Sequence, residues 1–188
     1  MKFSFSNKII DTPSFVSLLN VAREYGFDGV EICDVEKEKS EHTDSIFRSA
    51  VTVDAKRKLV NRHINISVLS CPIDIEEGID LSILNSLIDY SALAGVSGVV
   101  IRLKEEIKAD ALKTMLGPVL KYAEENGVNI LMETYGPLAN TEKVLDVINL
   151  FGTANLKVSW NIRETFFNAN ESADKTIQTL GAYIGFVR

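Results

Sequence analysis

The chain has 188 residues, 46% of them hydrophobic, and a formal net charge of −6, enough apolar material for one domain with a real core. Lys and Arg form no basic stripe, so nucleic acid is not an expected partner. No apolar run reaches membrane-spanning length and the N-terminus has no signal-peptide pattern, so the expected setting is the cytoplasm, away from the membrane.

In chain order, an apolar strand over 2–6 leads to a helix over 13–25, where Thr12-Pro13 places proline in the first turn. A strand over 28–33 follows, carrying Cys33. The mixed-charge run from Asp34 to Glu41 reads as a solvated loop, with His42 beside it. A helix over 46–62 ends near His63, and neither histidine has a second His or Cys at ligand spacing. Next come a strand over 65–70, a helix over 81–94, a strand over 97–103, a helix over 108–126 and a strand over 128–133. Asn140-Thr141 offers caps for a helix over 141–150. A strand over 156–161, a helix over 172–181 and a strand over 183–188 complete the order. Cys33 and Cys71 belong to no CxxC pair and read as buried thiols.

One pattern recurs. A helical stretch ends at a glycine and a short apolar strand follows, as in "FVSLLNVAREYG" before "FDGVEIC" and "LGPVLKYAEENG" before "VNILMET". The strands are nearly continuous apolar runs, which indicates burial on both faces of a parallel sheet covered by helices. Strict alternation of strand and helix means an α/β fold. Seven units at roughly 30-residue spacing fit a (β/α)8 TIM barrel better than a flavodoxin-like sheet of about five strands. The first strand is followed by no Gly-rich phosphate loop, which argues against a dinucleotide-binding domain. The expectation is one barrel domain over 1–188, incomplete because the sequence ends in strand seven. Either it is a fragment, or the rest of the barrel comes from elsewhere through self-association or further sequence, or the sheet stays open.

Function in a parallel barrel sits at the C-terminal strand ends. Those ends carry Glu31, Cys71 with Asp74, Arg102 with Lys104, Glu133 with Tyr135, Asn161 with Glu164, and Arg188. A carboxylate buried there is costly unless paired or bound to metal. The plainer alternative is an ion pair between Glu31 and Arg102 across the mouth. The stretch "SWNIRETFF", 159–167, reads as a strand that runs out into a loop.

The segments "GFDGVEI", "VNILMETYGPLANTEKVLDVI" and "LKVSWNIRETFFNANESADKTIQTLGAYIGFVR" resemble the xylose isomerase-like TIM-barrel superfamily, which contains sugar-phosphate isomerases and epimerases and endonuclease IV. The resemblance implies a divalent cation, Mn²⁺, Mg²⁺ or Zn²⁺, in the barrel mouth. Its ligands would be a Glu after strand five, an Asp after strand six, a His on strand seven and a Glu on strand eight. A second His, three residues after the Asp, would help to hold substrate. Glu133 matches the first of these, and would be the catalytic carboxylate. Tyr135 stands where the pattern has a His, Asn161 where it has the Asp, Glu164 where it has the second His, and Arg188 where it has the strand-seven His. The strand-eight Glu has no counterpart. Arg188 cannot ligate, because a guanidinium has no free lone pair and stays protonated.

The implied expectation is a barrel whose metal chemistry has gone and which needs no cofactor. It would act as a ligand-binding, regulatory or larger-protein module for a small polar molecule such as a sugar or sugar phosphate. Glu31, Arg102, Tyr135, Arg163 and Glu164 would contact that molecule. The alternatives are an active divalent-metal-dependent sugar (phosphate) isomerase or epimerase, and an active metal-free enzyme on the same scaffold.

Overall fold

The structure is a computed structural model and describes residues 2–9, 14–33 and 49–188. Thr12-Pro13, the run from Asp34 to Glu41, His42 and the expected start of the second helix at 46 lie outside the described residues. Seven parallel strands pair in sequence order: β1 (Ser4–Ser6), β2 (Gly29–Ile32), β3 (Asn65–Ser70), β4 (Gly98–Ile101), β5 (Asn129–Glu133), β6 (Leu156–Trp160) and β7 (Ile184–Val187). Between them lie α1 (Phe15–Glu24), α2 (Ser49–Arg62), α3 (Ser82–Ala94), α4 (Ala109–Glu125), α5 (Thr141–Phe151) and α6 (Ala173–Leu180), each packing on the next. This is the wall of a (β/α)8 barrel built to seven strands, and among the described residues β1 and β7 are its two edges. All seven strands and six helices fall where the sequence places them, with ends that differ by at most a few residues. Among the described residues no helix is long and apolar enough to cross a membrane.

Local chemistry sets the helix ends. Ser14, Asn140 and Ser172 accept N–H groups in the first turns of α1, α5 and α6. Gly95 closes α3 at φ 75°, a left-handed conformation that costs a side-chain-free residue little. His63 takes the same conformation after α2, at φ 56°.

Two apolar layers flank the sheet. The larger lies outside the wall, where Val30, Leu69, Ile101, Ile130, Met132 and Val158 meet Leu19, Leu84, Ile88, Leu116 and Leu180 from the helices. Each such side chain, fully buried, contributes about 1.5–3 kcal/mol. The smaller layer lies inside, where Val68, Val100 and Leu131 form a plug with Phe186 packed on it. Phe5 and Ile184 belong to the outer layer, and Phe3 is exposed.

Two one-residue slips in register decide what reaches the inside. Between β2 and β3, Val30 pairs with Ile66 but Glu31 pairs with Val68, so Ser67 is extra. Between β6 and β7, Val158 pairs with Ile184 but Ser159 pairs with Phe186, so Gly185 is extra. Side chains alternate faces along a strand, so one extra residue exchanges the faces of everything after it. The slips therefore turn Val68 and Ser70 inward on β3, and Phe186 and Arg188 inward on β7. Gly185 suits its place because a Cβ there would lie 2.9 Å from Leu131 Cδ2.

Candidate functional site

At the C-terminal ends of the strands, above the Val68–Val100–Leu131 plug, lies a cavity of about 310 Å³. Its lining includes Ser6, Lys8, Glu31, Cys33, Ser70, Cys71, Arg102, Glu133, Asn161 and Arg188. Glu31 and Glu133 are buried, at 6% and 2% exposure. Both reach the guanidinium of Arg188. Nη1 donates to Glu133 Oε2, and Nη2 contacts Glu31 Oε1. Nη2 also donates to Ser70 Oγ at 2.6 Å, and that hydroxyl passes a hydrogen bond on to Glu31 Oε1. One planar fork thus ties β7 to β2, β3 and β5 (the geometry for which guanidinium is suited). Nε of Arg188 is buried with no hydrogen-bond partner.

Asn161 fixes the other side of Glu133. Its Oδ1 accepts the Glu164 N–H at 3.2 Å, which turns Nδ2 toward Glu133 Oε1 at 2.9 Å. The amide therefore presents a donor to the carboxylate. "SWNIRETFF" does not run out as a loop: it folds into a helical turn, π-helical over Glu164–Asn168. Trp160 Nε1 donates to Thr165 Oγ1 at 2.9 Å, and Thr134 Oγ1 receives the Asn161 N–H at 2.8 Å, so the turn is pinned to β5 and β6.

Burial pushes the Glu133 carboxyl above its ordinary value, partly offset by the Asn161 hydrogen bond and the positive charge of Arg102. Burial also pulls the Arg188 guanidinium down to about 10, which still leaves it protonated at neutral pH.

The remaining expected residues divide. Arg102 does not pair with Glu31: it bonds Asp74 at 2.7 Å on the rim and lies over the Tyr135 ring at 5.4 Å. Glu31 is occupied by Arg188 instead, because the register slip brings that side chain inside. Lys104 is exposed and pairs with Glu76. Arg163 is exposed and does not line the cavity; the helical turn carries it outward. Glu164 holds Asn168 Nδ2 at 2.7 Å and acts on Glu133 only through its charge. Both cysteines are buried. Ser70, central to the cluster, escaped the sequence reading.

A divalent cation does not fit this donor set. Both carboxylates that converge on the cavity are engaged by a fixed positive charge, and Asn161 turns a donor toward the one that the resemblance makes a ligand. Among the described residues no group of three or more His, Cys, Asp or Glu is placed to hold a metal ion.

No protein-family model and no curated protein matches the chain. Solved structures do match in fold. A xylose isomerase domain protein from Planctomyces limnophilus aligns with a TM-score of 0.78 at 12% identity, over 99% of this chain and 72% of that one. The probable 3-DHS dehydratase AsbF of Bacillus anthracis aligns at 0.79 and 14%, over 100% and 72%. D-psicose 3-epimerase from Clostridium cellulolyticum H10 aligns at 0.77 and 14%, also over 100% and 72%. The chain carries the xylose isomerase-like TIM-barrel fold, spanning seven strands of it.

Proposed function

We propose that the chain is a binding module on this scaffold, taking a small polyhydroxylated molecule, a sugar or sugar phosphate, without a divalent cation. The observation that carries the reading is the engagement of both Glu31 and Glu133 by Arg188. Metal-assisted proton transfer would need those oxygens free. Hydrogen bonding to ligand hydroxyls does not, since an ion-paired carboxylate retains acceptor lone pairs. The cavity of about 310 Å³ is at the small end of ligand pockets, which suits a molecule of sugar size. Ser6, Ser70 and Asn161 offer hydroxyl and amide groups, and Arg102 offers donors at the rim. The fold's appearance in D-psicose 3-epimerase supports a sugar-sized ligand by analogy only, because one fold hosts many functions. The competing reading, an active metal-dependent isomerase or epimerase, rests on the fold and on Glu133.

A thermal-shift screen of sugars and sugar phosphates tests the proposal. A few compounds should stabilise the chain at millimolar concentration, and Glu133→Ala should abolish each response. No response to any compound, or responses indifferent to Glu133→Ala, would overturn it.

A further inference from the structure

We propose that Arg188 is an internal cation masking a latent cation site, formed by Glu31 and Glu133 and supported by Ser70 and Asn161. The inference deepens the metal-free reading above by giving it a cause that can be removed.

Geometry and charge lead there. Glu31 and Glu133 come from opposite parts of the wall, β2 and β5, yet one guanidinium spans them. Two buried carboxylates within reach of one small group repel each other unless a cation lies between them. The slip at Gly185 is what turns Arg188 inward to supply it. The supporting bonds are donors aimed at the two carboxylates. The Ser70 hydroxyl donates to Glu31 at 2.5 Å, and Asn161 Nδ2 donates to Glu133 at 2.9 Å. If Arg188 were truncated, the two carboxylates would keep these partners and lose their counter-charge. Oxygen donors of that kind take hard divalent ions such as Mn²⁺, and a guanidinium-sized space takes a guanidinium ion.

The test uses the full chain and two probes, MnCl₂ and methylguanidinium chloride, read by thermal melting and by the electron paramagnetic resonance of bound Mn²⁺. Wild-type protein should respond to neither at low millimolar concentration. Arg188→Ala should bind Mn²⁺, and its melting temperature should rise by about 5–10 °C at a hundredfold excess over Kd. Methylguanidinium should also raise its melting temperature. Glu133→Gln in the Arg188→Ala background should remove both responses. If Arg188→Ala fails to fold alone, circular dichroism should show folding restored by either probe. Arg188→Lys, which keeps a cation in place, should bind no Mn²⁺. Three results would overturn the proposal: wild-type binding equal to that of Arg188→Ala, an Arg188→Ala protein that neither probe stabilises, or a response that survives Glu133→Gln. None of these arms involves a sugar, so a failure here is distinct from a failure of the ligand screen.

Discussion

Two arginines stand at the same end of the barrel wall and meet carboxylates in different surroundings. Arg188 holds Glu31 and Glu133, whose side chains are 8% and 3% exposed. Arg102 holds Asp74 on the rim, where the pair is 30% and 32% exposed. Each is an ion pair at hydrogen-bonding distance. Solvation separates them. On the rim, water reaches about a third of each side chain and screens the attraction. In the cavity, removing one charge leaves the others stranded, and that penalty rather than the attraction sets the cost. The same orientation-giving bonds therefore build a rigid floor in one place and an adjustable edge in the other.

The largest expected effect comes from breaking the inner cluster. Arg188→Ala should cost about 3–5 kcal/mol of stability in urea unfolding, because Glu31 and Glu133 lose their shared counter-charge. A loss under 1 kcal/mol would place the cluster in the same class as the rim pair. Next, Gly185→Val should cost about 1–3 kcal/mol through overpacking against Leu131, whose Cδ2 lies 2.9 Å from the site of the new Cβ. Thermal unfolding reads this directly, and an unchanged melting temperature would mean that the slip tolerates a side chain.

A smaller effect concerns pH. The folded-state value of Glu133 is raised by burial, so its contribution is fully present below the ordinary carboxylate range and is lost as pH rises through the folded value. Glu133→Gln has no such dependence and leaves Glu31 as a one-to-one partner for Arg188. Relative to wild type, the variant should therefore gain stability as pH rises from the ordinary carboxylate range through the raised folded value of Glu133. Urea melts at both ends of that range check the sign. The smallest effect is on the rim, where Arg102→Ala or Asp74→Ala should change stability by about 1 kcal/mol or less in the same melts.

The wall was readable from sequence because its signals are local: apolar runs for strands, glycine at helix ends, and caps such as Asn140. Which side of the wall a residue faces was readable only where register is regular. Glu31 and Glu133 fell at strand ends and did prove to line the cavity. On β3 and β7 the slips exchange faces, which is why Ser70 escaped notice and why Phe186 and Arg188 turn inward. Gly185 within an apolar strand was the available hint, since a strand glycine often marks such an irregularity. The pairing of Glu31 with Arg188 rather than Arg102 needed the three-dimensional register. So did the outward position of Arg163, which depends on a helical turn that the residues after Trp160 form by bonding Thr165 and Thr134.

A crystal structure grown in millimolar MnCl₂, with anomalous data for manganese, tests the central claim most directly. The expected result is the Arg188 guanidinium between Glu31 and Glu133, with no anomalous peak at either carboxylate. A manganese peak bonded to Glu133, with Arg188 swung out of the cavity, would contradict it.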